Sequence, residues 1–433
     1  MEWLERQFHL KEHGTDVRTE IIAGLTTFLT MAYIIFVNPS ILGDAGMPKE
    51  PVFVATCLVA ALGSAIMALY ANYPIAMAPG MGLNAYFAYV VVGQMGFTWQ
   101  AALGAVFISG CLFMLVTVLR IREQIIKGIP QSLRLAITVG IGMFLALIAL
   151  KAAGIVAASP ATGVTLGDLH TPGVVLAVLG FFLIVALDRL RVKGAILIGI
   201  LAVTLASYFF AGNPIDKVFS MPPSIAPTFL QLDIKTALTA GLLNVVLVFF
   251  LVELFDATGT LMGVARRAGL LVEGKMDRLN KALFADSGAI IAGSMLGTSS
   301  TTAYVESASG VQAGGRTGLV SLVVAALFLA CLFIAPLAGS VPPYATAPAL
   351  FFVAGLMMRD LVELEWDDTT EVLPAIVTAL SMPFTYSIAN GLAFGFITYG
   401  VIKLITGQAR QVHWMVWIIG AIFLFKYVYI GGH

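Results

Sequence analysis

From Tyr73 the chain runs YPIAMAPGMGLNAYFAYVV, and from Gly297 it runs GTSSTTAYVESASGV. Both stretches lie among apolar segments of membrane-helix length, yet neither opens as a helix. Each begins with an extended run rich in Gly and Pro, or in Ser and Thr. Each then becomes a short helix near a polar residue, Asn84 or Glu306. Non-helical backbone at membrane depth survives only where it lines a cavity or is buried in protein. A matched pair of such broken spans, one in each half of a chain, is the sequence mark of a transporter's central site.

The surrounding sequence is built for lipid. Of 433 residues, 59% are hydrophobic and only 11% charged, with a mean hydropathy of +0.95. A soluble domain carries about 25% charged residues, enough to coat its surface. Apolar runs of about 20 residues read as membrane-crossing helices. They fall at 20–40, 51–71, 74–95, 98–119, 133–151, 173–188 and 193–211. After a polar loop at 212–231 a second series occupies 235–263, 279–297, 299–313, 316–338, 345–360, 371–386, 387–405 and 413–430. Asn84 and Glu306 are 222 positions apart, which matches the offset of the two series. Seven spans per half is an odd number, so the second repeat sits upside down relative to the first. The second half holds one segment too many. Either 371–386, with Pro374 and Pro383, enters only partway, or it crosses and 413–430 is an additional helix.

Placing the N-terminus in the cytoplasm puts Arg6, Lys11, Arg18, Arg120, Arg122, Lys127, Arg134, Arg189, Arg191, Lys193, Arg266, Arg267, Lys275, Arg278, Lys281, Arg316 and Arg359 on the inside. The outside then holds Lys49, Lys151, Lys217 and Lys235. Seventeen against four obeys the positive-inside rule through the first twelve spans. Lys403 and Arg410 favour keeping 403–412 inside as well. The opening MEWLERQFHLKEHGTDVR lacks the short apolar region and small-residue cleavage site of a signal peptide. It is expected to form an amphipathic helix along the membrane face.

Several function classes fall away. The net charge is zero, which gives no sign of a nucleic-acid partner. Cys57, Cys111 and Cys331 lie inside apolar runs and read as small buried hydrophobes. The five histidines have no metal-ligand spacing, and no phosphate-binding loop points to ATP. GMGLNA and GVQAGG lack the βαβ context of a dinucleotide site. No metal, cofactor or protease signature stands out, so an enzyme is not expected.

Few ionisable residues sit at mid-membrane depth, where they are costly and usually functional. Glu253 and Asp256 lie in FLVELFDATGTLMG, three apart, so they are expected to share one helix face with Thr260. Glu306 lies at the break of the tenth span, and Asn84 is its counterpart in the third. Together they suit a flat, neutral ligand with donors and acceptors, and one of the close carboxylates is a candidate proton carrier. Plainer roles exist for each: an interhelical hydrogen bond for Glu253 or Asp256, a helix-opening carboxylate for Glu306, a cap for Asn84. Asp286 is expected to favour the first turns of the ninth span, and Glu363, Glu365, Asp367 and Asp368 to form a solvated loop or helix end.

AGLTTFLTMAYIIFVNPSIL, APGMGLNAYFAY, ELFDATGTLMGVA and GTSSTTAYVESASGVQAGGRTGL resemble the AzgA-like purine permeases of the nucleobase–ascorbate (nucleobase:cation symporter) superfamily. The resemblance covers nearly the whole chain. It implies an all-α polytopic membrane protein of about fourteen spans, in two inverted seven-helix repeats, with short strands in spans 3 and 10. It implies a core domain at 1–122 and 232–340 (spans 1–4 and 8–11) and a gate domain at 123–231 and 341–433 (spans 5–7 and 12–14). It implies proton-coupled import of adenine, guanine or hypoxanthine across the cell membrane, with Asn84, Glu253, Asp256 and Glu306 at the substrate site. Glu253 departs from the family pattern, standing where many members carry Asp. The expected partners are a purine nucleobase, protons and the bilayer, with a second copy of the chain as a further candidate. Other uses of the same architecture are transport of uracil, xanthine or an inorganic anion, and a passive channel. The anion is disfavoured because no Lys or Arg lies at the expected site.

Overall fold

The computed structural model describes residues 2–121, 125, 128–212, 214, 217–272, 275–425, 427 and 428. Arg122 and Lys127, counted above with the inside charges, and the expected domain boundary at 122–123 lie outside the described residues, as does the end of segment 413–430. The Lys275 side chain is likewise not described.

Among the described residues nine helices are long and apolar enough to cross a membrane. The first covers residues 17–44 as two pieces, Val17–Met31 and Ile34–Asp44, broken at Ala32 and Tyr33. Leu279–Leu296 is equally long but more polar, and Ala195–Phe210 and Thr369–Phe384 are shorter. The two broken spans complete a polytopic membrane protein of fourteen spans in two inverted repeats. Thr369–Phe384 packs against both Gln131–Ala152 and Ile388–Ile405, as a spanning helix does. Trp414–Phe425 is an additional helix outside the repeats. It runs back along Ile388–Ile405, from Trp417 against Gly400 to the Tyr427 hydroxyl, which donates to Asn390 at 2.6 Å.

Local chemistry sets the ends of these helices. Asp16 caps the first span by accepting the Thr19 N–H at 2.9 Å. Asp233 does the same for Thr236 ahead of the eighth span, at 3.0 Å. Thr98, Thr317, Asp368 and Ser387 cap four others with side-chain oxygens. Each satisfies an N–H that has no partner in the first turn of a helix. We call the face that carries Arg120, Arg189, Arg266 and Arg316 the basic face. At that face Lys403 is 3% exposed and its ammonium is fully engaged. It meets Glu371 at 2.8 Å, Thr370 at 2.7 Å and Gln408 at 2.9 Å.

The N-terminal residues are held against the helix bundle. Glu2–Phe8 is a short helix whose Phe8 is fully buried against Ala68 and Leu319. Asn72, in the left-handed conformation, donates to the Phe8 carbonyl and accepts from Gly318 N–H, so it pins this segment to the turn before the third span.

Two groups of helices emerge from the packing. Lys49–Ile66, Trp99–Val118, Leu279–Leu296 and Gly318–Cys331 pack around the broken spans, with Val17–Met31 and Ala240–Arg267 against them. Gln131–Ala152, Pro172–Arg189, Ala195–Phe210, Pro343–Met357, Thr369–Phe384 and Ile388–Ile405 pack mainly on one another. At the centre of the first group the strands Met77–Pro79 and Thr301–Ala303 pair antiparallel, Met77 opposite Ala303 and Pro79 opposite Thr301. Residues that leave helical bonding in one half thus find partners in the other half.

Candidate functional site

Each strand hands the chain to a half-helix. Gly80 precedes Met81–Ala85, and Glu306 precedes Ser307–Gln312. The Ser307–Gln312 half-helix leans on the first span through Gly310, where a Cβ would come within 2.1 Å of Thr27 Oγ1 and 2.7 Å of the Ala23 carbonyl. Only glycine allows that approach. The Thr30 and Ser309 hydroxyls hydrogen-bond across the same seam at 2.9 Å. The seam brings Tyr33, at the break of the first span, to Glu306: its hydroxyl donates to Glu306 Oε1 at 2.6 Å. The Tyr304 hydroxyl crosses to the Pro79 carbonyl at 2.6 Å and so ties the two broken spans together.

Asp256 completes this cluster from the eighth span. The Thr302 hydroxyl faces it, and it lies within electrostatic reach of Tyr304 and Glu306. Glu306 and Asp256 are deep in the protein yet partly open, and Val305 between Tyr304 and Glu306 is 52% exposed. Beside the partly open Thr258 and Met262, the C-terminal half of Ala240–Arg267 is open at Asp256, Gly259, Thr260, Gly263, Arg266 and Arg267. They recur at helical spacing and form one stripe from the site to the basic face. An open stripe that starts at a carboxylate is an aqueous cleft, since a carboxylate does not face lipid at this depth. The site therefore opens to the basic face.

The expectation that Glu253, Asp256 and Thr260 share one face is not what the structure has. Asp256 and Thr260 line the cleft, but Glu253 is 1% exposed and turns into the protein. There the Ser109 hydroxyl donates to its Oε2 at 2.6 Å. Three residues of helix are about 300° of rotation, a 60° divergence that separates the two side chains. Asn84 also differs from its expected place. Gly80, not Asn84, stands where Glu306 stands, because Asn84 is the fourth residue of its half-helix and fully buried. It donates to Asn38 Oδ1 at 2.6 Å, and Asn38 donates to Thr56 at 2.7 Å and Thr298 at 2.9 Å. Asn84 Oδ1 has no hydrogen-bond partner among the described residues.

Tyr33, Asn38, Tyr304 and Ser109 belong to this polar interior and were not singled out from sequence. Asn38 was the most findable, as an amide before proline in the middle of an apolar span. Asp286 is not a first-turn residue acting on its helix end. It is fully buried, eight residues into its helix, and accepts the Ala303 N–H at 3.2 Å. Cys57 and Cys331 are buried as expected, whereas Cys111 is exposed on the outer side of its helix. No group of three or more potential metal ligands occurs among the described residues.

Among the described residues, nine helices of membrane-crossing length around two broken spans whose strands cross define a multi-pass membrane protein. Residues 18–394 match a family profile described as "Permease family", and the chain belongs to that family. A putative permease of Methanocaldococcus jannaschii is 52% identical over the full length of both chains. The adenine permease AdeQ of Escherichia coli is 48% identical, covering 99% of this chain and 96% of its own. The guanine/hypoxanthine permease PbuO of Bacillus subtilis is 46% identical, covering 98% of this chain and all of its own. In fold, the chain resembles the transmembrane domain of the cyanobacterial bicarbonate transporter BicA, with a TM-score of 0.66 at 18% identity over 86% of this chain and 97% of that one.

Proposed function

We propose that the protein imports purine nucleobases together with protons across the cell membrane, with its basic face and N-terminus in the cytoplasm. The observation that carries the reading is the partly open pair Glu306 and Asp256 at the floor of the cleft, with Tyr33 bonded to Glu306. A purine is flat, neutral and edged with N–H donors and ring acceptors. Two carboxylates that no Lys or Arg among the described residues pairs with are acceptors for its N–H groups, and a buried carboxylate bonded to a base N–H is a strong recognition element. The same absence of a nearby cation disfavours an anionic substrate. The adenine and guanine/hypoxanthine permeases among the relatives point to the same ligand class.

In this reading the helices around the crossed strands act as a core and the other group as a gate. Residues 1–122 and 232–340 form the core, 123–231 and 341–433 the gate. The substrate sits between them, and rocking of core against gate alternates its access. Gly82, whose Cβ would meet Ile141 at 2.5 Å, marks a close contact between them. Asn84 supports the site from behind through Asn38.

Accumulation of radiolabelled adenine and hypoxanthine, in competition with guanine, uracil and xanthine, tests the reading. Uptake that an uncoupler abolishes supports proton-coupled purine import. Correctly inserted protein that takes up none of these bases overturns the substrate. Uptake indifferent to the uncoupler overturns the coupling.

A further inference from the structure

The second piece of the first span, Ile34–Asp44, starts at the break where Tyr33 holds Glu306 of the tenth span. Five residues after Tyr33 comes Asn38, fully buried and followed by Pro39 inside the helix. Its carboxamide reaches three other elements. Nδ2 donates to Thr56 Oγ1 on the second span at 2.7 Å. The same nitrogen donates to Thr298 Oγ1, just before the strand of the tenth span, at 2.9 Å. Oδ1 accepts from Asn84 Nδ2, on the half-helix of the third span, at 2.6 Å. Thr56, Asn84 and Thr298 are all fully buried as well.

The direction of these bonds is fixed by Thr56. That hydroxyl gives its one proton to the Val52 carbonyl at 2.6 Å, so toward Asn38 its oxygen accepts. The Asn38 nitrogen therefore faces Thr56 and Thr298, and the oxygen is left for Asn84. Both N–H groups and the carbonyl oxygen of this amide are engaged, which one arrangement of the four elements satisfies. A shift of the half-helix relative to Thr298 would strand a buried donor or acceptor, which is costly.

The two broken spans are thus joined twice. At the floor of the cleft their strands pair, and the Gly80 N–H donates to the Ser300 carbonyl at 2.8 Å. Away from the floor Asn38 joins Asn84, four residues into the third-span break, to Thr298, which precedes the other strand. One junction fixes where the half-helix Met81–Ala85 sits; a second fixes its tilt. We propose that Asn38 is a positioning residue for purine recognition. Through Asn84 and Thr298 it sets the tilt of the third-span half-helix against the tenth-span break, and with it the width of the gap that the base enters beside Glu306. It touches no substrate itself. This rests on the proposed purine site at Asp256 and Glu306 and adds what sets the shape of that site.

Asn38→Ala, Thr298→Val and Thr298→Ser, reconstituted in vesicles and normalised to inserted protein, test it by uptake of adenine and hypoxanthine. Asn38→Ala is expected to raise KM for the preferred base about tenfold or more and to keep the maximal rate within about threefold. The ratio of the two KM values is expected to change at least about threefold, because a gap of altered width no longer favours the same edge of the base. Thr298→Val keeps the shape and loses the acceptor, and its KM is expected to rise about threefold or more. Thr298→Ser keeps the hydroxyl and is expected to stay within about twofold of the parent. The reverse order, with Val parental and Ser impaired, means that packing and not the hydrogen bond holds the half-helix, and overturns the proposal. So does an Asn38→Ala whose rate falls while its KM and base preference stay parental, and so do parental KM values in all three variants.

Hydrogen exchange gives a readout that needs no substrate. In Asn38→Ala the amides of 80–86 and 298–303 are expected to exchange about tenfold faster or more, and those of the other spans to stay within about twofold. Unchanged exchange in the two segments, or an equal rise throughout the chain, overturns the proposal. If the parent transports neither base, the proposed substrate is what has failed, and the exchange result decides the role of Asn38. Should Asn38→Ala fail to fold, the two Thr298 variants decide it by the same exchange: faster in Val and parental in Ser supports the role, and any other order overturns it.

Discussion

The strands Met77–Pro79 and Thr301–Ala303 pair with each other, and each leads into a half-helix, but the residue at the transition is Gly80 in one and Glu306 in the other. The first strand is apolar and the second is Thr-Thr-Ala, with buried hydroxyls before it at Ser299 and Ser300. Asp256, Glu253 and Asp286 all gather on the side of the second break. The inverted repeat therefore supplies one backbone geometry twice and spends its chemistry on one copy. The third-span break acts as a platform: its Pro79 carbonyl anchors Tyr304.

The sharpest way to break this comparison is to change both transition residues. Glu306→Gln keeps the size but removes the charge that faces Tyr33 and the substrate. Two charge-assisted hydrogen bonds at about 1.5 kcal/mol each make the expected loss of purine uptake about 100-fold. Gly80→Ala is expected to stay within about threefold, since its φ of −78° suits any residue and the nearest atom to a Cβ is Thr302 Cγ2 at 3.1 Å. Radiolabelled uptake, normalised to inserted protein, measures both. Equal losses would mean that the two breaks share the chemistry.

Tyr33→Phe sharpens the same point with a smaller change. It removes one hydrogen bond to Glu306 and leaves the ring. The expected effect is about a tenfold rise in KM, from about 1.5 kcal/mol, with the maximal rate little altered. A variant whose KM is unchanged while its rate falls would place Tyr33 in the conformational change instead.

Gly310 and Gly82 compare how the two half-helices are seated. An added methyl at Gly310 meets backbone and a short side chain, which cannot retreat, whereas at Gly82 it meets only one side chain, at the Cγ2 methyl of Ile141. Gly310→Ala is expected to destabilise by about 1–3 kcal/mol as overpacking does. Gly82→Ala is expected to destabilise less than Gly310→Ala, since no backbone stands in the way, and to slow transport. Thermal unfolding in detergent, alongside uptake, distinguishes them.

Much of this was legible before the structure. Hydropathy gave the spans with one apolar segment too many, the resemblance gave fourteen, and the paired breaks follow from Pro79, Gly80 and the Ser299–Thr302 run, because those residues cannot sustain membrane helix unaided. Glu306 and Asp256 were found by the cost of charge at depth. What sequence could not supply was direction. Three residues separate Glu253 from Asp256, yet the neighbouring helices send one to Ser109 and the other to the cleft. The same holds for Asn84, whose spacing from Glu306 suggested equivalence although Gly80 holds the equivalent place. Tyr33 and Asp286 act across gaps of 273 and 17 residues, and no local pattern announces such partners.

The smallest expected effect concerns the entrances to the two repeats, where the halves are alike. Asp16 caps the helix that opens the first repeat, and Asp233 caps the short helix Ile234–Ala237 that leads into the second. The Thr19 backbone N–H holds the Asp16 carboxyl below the usual carboxylate range, and the Thr236 hydroxyl, with its backbone N–H, holds Asp233 there too. Both carboxyls are thus more acidic folded than unfolded. Their contribution to stability is present in full above the ordinary range, about pH 4, and is lost as pH falls through the folded value. Asp16→Ala and Asp233→Ala should lower Tm slightly and by similar amounts at pH 7, and the two should add, since the sites lie at opposite ends of the spans. The difference from the parent should shrink as the medium is acidified below the carboxylate range. Unequal losses at pH 7 would show that the repeats, so different at their breaks, differ at their entrances as well.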